Sequence, residues 1–309
     1  MNTTRLTDIA TFVFLSLLWG TTWIAIKYSL SGIPPFAGAM LRFMVAIALL
    51  YGYARIRRIS LALPPGARRH IFTSSILLYL FDYGLIYWGE QYLYAGVTAI
   101  FFATFPIFTG LISNFVLKNE PFQWSRFAGL LLGFGGILTI FQDQLLMTDF
   151  HPMIVWASAG IVLSALAGAL SIVIVEKHLA EVKPVPLTLH QMIWGIVALG
   201  AAAWWRGELT ALDFTLPAVL AVLYLGIFGS AVAFVSYYSL LKRMSAITLS
   251  FIIYITPVVA LLTGWYFLDE TITWRTVAGA LLIFAGITLT RIRQYYRKFR
   301  SWRRSGPRD

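Results

Sequence analysis

Apolar residues fall in long runs separated by short polar segments, and two of these runs share an unusual internal order. The first passes from Ala95 through Pro106 to Glu120, then Trp124, Gly129 and Gly136. The second passes from Ala246 through Pro257 to Glu270, then Trp274, Gly279 and Gly286. Nine of the eighteen positions from 120 to 137 match their counterparts 150 residues later. A lag of about half the chain is too long for a solenoid unit and divides the sequence into two homologous halves.

Ten runs are long enough to predict membrane spans. They cover residues 7–27, a run opened by Pro34-Pro35 and closed by Arg55, Arg57 and Arg58, 71–90, a run around Pro106 ending at Lys118, and 127–141. After a polar link come 153–175, 186–205, 217–241, 247–268 and 277–290. At about 20 residues per span, ten helices use roughly 200 residues and leave only short loops. The expected organisation is a first repeat at 1–147, a second at 148–290 and a basic tail at 291–309. Composition supports lipid as the solvent: 59% of the 309 residues are hydrophobic and 12% charged, against about 45–50% and about 25% in soluble domains. Cysteine is absent, so no disulfide framework is possible.

Charge sets the orientation. With the N-terminus in the cytoplasm, twenty of the twenty-four Lys and Arg residues fall on the cytoplasmic side, as positively charged loops require. Lys27, Arg206 and Arg275 fall outside and Arg42 lies within a span. Five spans per half is an odd number, so the second half enters from the opposite face: an inverted repeat with both termini cytoplasmic. The net charge of +11 does not imply nucleic acid, because the basic residues sit between spans and in the tail. There Tyr295, Tyr296, Phe299 and Trp302 interleave with them, a pattern suited to anionic lipid headgroups.

Ionisable groups inside a bilayer each cost at least about 2.5–3.5 kcal/mol and so need a partner or a wet cavity. Arg42, Asp82 and His190 qualify. Arg42 and Asp82 lie at similar depth and are expected to pair, either to join two spans or to line a substrate path. His190 follows Arg42 by 148 residues, near the repeat lag. It offers proton coupling if it titrates, against the plainer reading of a neutral ring bonded to a backbone carbonyl. Three aromatic stripes with four-residue spacing, Trp19 and Trp23, Tyr79, Tyr83 and Tyr87, and Phe234 and Tyr238, read as walls of a binding site. Pro106 and Pro257 each remove a backbone hydrogen bond and are expected to open their helices. Gly129 and Gly133 allow close helix approach, within the chain or across a dimer.

No metalloprotease, phosphate-loop or nucleophile-elbow motif is present, no cofactor or metal site is expected, and no filter-like loop suggests a channel. An enzyme acting on lipid is the alternative, with Glu90, Asp143, Asp149 and His151 as its only candidate acid or base groups; a membrane scaffold is a third.

The segments Leu18-Trp19-Gly20-Thr21-Thr22 and Leu41-Arg42-Phe43, with the duplicated Pro, Glu and Gly pattern, give a chain that resembles the EamA family of the drug/metabolite transporter superfamily. The resemblance implies ten helices in an inverted five-plus-five repeat, with a central cavity among helices one to four and six to nine. It also implies export of amino acids and other small metabolites across the bacterial inner membrane. The second half departs from the first in carrying Ala167-Gly168 in place of Trp19-Gly20 and His190 in place of Arg42, so the halves are expected to contribute unequally. The sequence reading is therefore a secondary exporter working by alternating access, with a zwitterionic or anionic, partly apolar solute anchored by Arg42.

Overall fold

The computed structural model describes residues 3–93, 95–117, 124–146, 152–256 and 258–259, and then 274–275, 277–279, 281–283, 285–286 and 289. All regular structure among them is helical. In chain order the helices are α1 (Thr3–Ser29), α2 (Pro35–Ile56), α3 (Ala67–Glu90), α4 (Ala95–Phe102), α5 (Phe105–Leu117), α6 (Trp124–Leu146), α7 (Pro152–His178), α8 (Pro184–Trp205), α9 (Leu216–Leu241) and α10 (Ala246–Thr256). Six of these, α1 to α3 and α7 to α9, are long and apolar enough to cross a membrane. Glu120, Pro257, Glu270 and the tail at 291–309 lie outside the described residues.

The ends of α2 and α8 are built alike. Each starts with proline in its first turn, where the missing N–H costs nothing. Each closes on an arginine with φ of −86°, Arg57 and Arg206. The next residue is left-handed in both, Arg58 at φ 51° and Gly207 at φ 69°. At the first of these ends, the Ile59 N–H reaches the Ala54 carbonyl at 2.8 Å and the Arg58 N–H reaches Arg55 at 3.3 Å, which satisfies two carbonyls that the helix end would leave open. The exposed Trp204 and Trp205 sit just before Arg206, the placement of an interfacial aromatic belt.

The third helix of each half carries the same irregularity. The middle of α3, Ile76–Tyr83, and the middle of α9, Ile227–Val232, are π-helical. The two segments begin at positions 76 and 227, 151 apart. Such wide turns are rare and occur mostly at functional sites.

The run around Pro106 is broken. Helix α4 ends at Phe102, Ala103 and Thr104 turn, and α5 resumes at Phe105. Proline lacks an N–H and its ring crowds the carbonyl four residues back, which here belongs to Phe102.

Packing brings the halves together. Helix α2 packs on α8, α3 on both α7 and α8, and α1 on α9. The glycines of α6 meet those of the partly described segment after Trp274. A Cβ on Gly136 would lie 2.5 Å from the Gly279 carbonyl, and one on Gly286 2.5 Å from the Gly129 carbonyl. No side chain larger than hydrogen fits at either place, so these glycines serve packing inside the chain. In repeat terms Gly129 corresponds to Gly279 and Gly136 to Gly286, so each copy's glycine contacts the other copy's second one.

Candidate functional site

A cavity lies at the centre of this packing, where α1, α3, α4, α5, α7, α9 and α10 converge. Its volume is about 80 Å³, enough for a few waters. Its aromatic wall is continuous. Trp19 stands edge-on to Phe234 with centroids 6.0 Å apart and lies 5.3 Å from Tyr237. Tyr83 lies 5.9 Å from Phe234. On the other side Trp23 meets Phe102 at 5.6 Å, and Phe102 stacks on Phe105 at 5.6 Å. Each such pair contributes about 0.5–1.5 kcal/mol beyond its buried area, which holds the wall rigid.

Asp82 also lines the cavity and is 3% exposed. Its Oδ1 has no hydrogen-bond partner among the described residues. The Ser164 hydroxyl lies within reach of the carboxyl and also of the Ile161 carbonyl, at 2.8 Å, so its single proton serves one or the other. The close approach is made possible by Gly168, where a Cβ would sit 2.5 Å from Asp82 Oδ2 and 3.1 Å from the Phe105 ring.

Arg42 is placed differently from expectation. It does not line the cavity and does not pair with Asp82. Its Nε donates to the Ser230 hydroxyl at 3.0 Å, Nη2 to the Gly229 carbonyl at 3.2 Å, and Nη1 to the Tyr87 hydroxyl at 3.5 Å. The guanidinium also lies 4.9 Å from the centroid of Tyr83, a cation–π contact. Tyr83 thus stands between Arg42 and the cavity. The α3–α9 contact supplies neutral acceptors for the arginine, so no carboxylate is required.

His190 does not line the cavity. Its Nδ1 lies 2.8 Å from the Pro186 carbonyl one turn back on the same helix, the plainer of its two readings. The buried polar group of that turn is Gln191, which sequence reasoning missed. Gln191 is fully buried; its Nε2 donates to the Ser74 hydroxyl at 2.7 Å and its Oε1 accepts from the Tyr238 hydroxyl at 2.6 Å. The repeated helix ends at Arg57 and Arg206 are 149 apart, and the same step carries Arg42 to Gln191. Tyr87 and Tyr238 are likewise 151 apart, the interval of the π segments.

Of the eight residues expected at the site, Trp19, Trp23, Asp82 and Tyr83 line the cavity. Tyr79 is fully buried against Gly195, where a Cβ would lie 2.5 Å from its ring. Tyr238 serves Gln191, and its neighbour Tyr237 takes the place on the wall. At the far end of α3, Glu90 is fully buried with neither carboxyl oxygen bonded to a described residue, while Lys27 Nζ donates to its main-chain carbonyl. Asp149 and His151, and the side chain of Asp143, lie outside the described residues.

Six helices long and apolar enough to cross a membrane, packed around an aromatic cavity, define a multi-pass membrane protein. The family model described as the EamA-like transporter family matches residues 7–142 and again 155–292, and the chain belongs to that family of transporters. Among similar proteins, one named an uncharacterized transporter YoaV, from Bacillus subtilis, is 28% identical over 275 residues, 89% of this chain and 93% of its own. Protein PagO of Salmonella typhimurium is 27% identical over 90% of this chain and 91% of its own. YedA of Escherichia coli, named an uncharacterized inner membrane transporter, is 28% identical over 89% and 88%. A solved crystal structure superposes with a TM-score of 0.74 over 93% of this chain and 96% of that one, at 19% identity, which speaks to the fold alone.

Proposed function

We propose that this transporter is a secondary exporter of small, partly apolar metabolites, amino acids among them, working by alternating access between two inverted five-helix halves. The observation that carries the reading is an aromatic cavity with a buried polar network beside it on the third helix of each half. Tyr83 and Phe234 line it; one turn further along the same helices, Tyr87 meets Arg42 and Tyr238 meets Gln191. Networks of this kind can serve as paired gates, since opening one need not disturb the other. The break before Pro106 supports a flexible element beside the cavity. The positively charged loops favour cytoplasmic termini, and the printed setting of the Escherichia coli relative favours the inner membrane. His190, bonded within its own helix, gives proton coupling no support.

The test is flux in proteoliposomes preloaded with labelled apolar amino acids and amines. Protein-dependent loss of chemically intact solute is the expected result. Conversion of solute or lipid without flux overturns the transport reading and revives the lipid enzyme.

A further inference from the structure

We propose that the cavity selects solutes by a positively charged ammonium group, held by Asp82, and offers no anchor for a carboxylate; this rests on the transport reading above. The wall is aromatic on both sides, and aromatic faces attract cations through their negative quadrupole. Asp82 is the one lining residue with a carboxyl group, and no lysine, arginine or histidine lines the cavity among the described residues. Asp82 is 3% exposed and has Oδ1 unbonded among the described residues. A buried carboxyl with a spare oxygen beside an aromatic cavity is costly by itself, and an ammonium donor offsets that cost by charge and hydrogen bond together.

Among the described residues no basic side chain lines the cavity; Arg42 lies behind its wall, with each of its three nitrogens bonded once, to Ser230, Gly229 and Tyr87. The Tyr83 ring further screens it from the cavity. An amine with a flat apolar body therefore satisfies the site, whereas the acid with the same body leaves its charge facing aromatic rings and another carboxyl. Gly168 supports the same assignment, because only glycine lets the carboxyl sit where it does.

The experiment uses four probes with a common phenyl body: phenethylamine, phenylalanine, 2-phenylethanol and phenylacetate. Binding of each to the purified full-length protein is measured by calorimetry, beside flux in proteoliposomes. Phenethylamine should bind at least tenfold more tightly than 2-phenylethanol and phenylacetate, and more tightly than phenylalanine. Asp82→Asn should remove the amine's advantage over the alcohol. If phenylacetate or the alcohol binds as well as the amine, or if Asp82→Asn keeps the advantage, the proposal is overturned. Should that variant not fold, the four-probe series on the unmodified protein decides. Amine-selective binding without flux sinks the transport reading alone, and flux without amine preference sinks the ammonium site alone.

Discussion

Tyr238 donates its hydroxyl to Gln191 Oε1 at 2.6 Å, where the other half of the chain has Tyr87 accepting from Arg42 Nη1 at 3.5 Å. One duplicated position has thus become a cation in one copy and an amide in the other. Both keep a tyrosine partner and both reach a serine of the opposite half, Ser230 or Ser74. Gln191→Leu leaves the buried Tyr238 hydroxyl without its acceptor and removes the donor to the Ser74 hydroxyl, which keeps its own bond to the Ile71 carbonyl. The expected loss is about 1–3 kcal/mol of stability, seen as a lower Tm in detergent. His190→Ala, at a ring bonded only within its own helix, should cost less than half as much.

Arg42 and Asp82 make separate contacts, so their substitutions should add. Arg42→Gln and Asp82→Asn, alone and together, form a double-mutant cycle in thermal unfolding. A coupling within about 0.5 kcal/mol is expected for independent sites. A double variant clearly more stable than either single one would mean the two charges are coupled after all.

Gly168→Ala places a methyl group where Asp82 Oδ2 and the Phe105 ring now sit. The carboxyl must move, so solute affinity should fall several-fold while the protein still folds. Gly52→Ala is the matched control, because a Cβ there meets nothing within 4 Å and helix propensity favours alanine by about 1 kcal/mol. Affinity measured on both variants distinguishes a local effect at Asp82 from a general glycine effect.

Gly136→Val forces α6 away from the Gly279 carbonyl and the Ile283 N–H, which would lie 2.5 and 3.0 Å from even a Cβ. A Tm drop larger than that of any cavity-lining substitution is expected, since the backbone on the far side cannot yield as a side chain can.

Topology is checked by reporter fusions. Fusions after Arg58 and after Lys242 should report cytoplasm, and fusions within 142–149 should report the opposite side; a cytoplasmic report at Asp143 is incompatible with the inverted arrangement.

The long spans were legible because lipid leaves the backbone few alternatives: a helix or a closed barrel. That Trp19, Trp23, Asp82 and Tyr83 turn to an internal cavity was legible for a related reason, since aromatic and ionisable groups in mid-span need a setting other than lipid. What the sequence hid was rotation about helix axes. Counting in steps of four along α9 selects Tyr238 with Phe234, but Phe234 and Tyr237, three apart, are the pair that share the cavity face. His190 was favoured over Gln191 because histidine advertises chemistry and glutamine does not. The signal that finds Gln191 was present in the paired Pro35 and Pro184 starts, which fix the local lag at 149. The Arg42–Asp82 pairing failed because depth along two helices says nothing about which neighbour each side chain faces.

The two π segments carry a consequence for how relatives of this chain are compared. A wide turn is one residue more than an α-helix needs, so losing a single residue from Ile76–Tyr83 would restore ordinary winding. The part of α3 beyond it would then keep its facing relative to the part before, because the wide turn had absorbed the extra residue. Only positions inside the segment change their facing, and Asp82 lies near its end. A one-residue gap in an alignment at this point therefore leaves Tyr87 and Glu90 directly comparable between relatives, and which residue stands at the place of Asp82 depends on where inside the wide turn the gap falls.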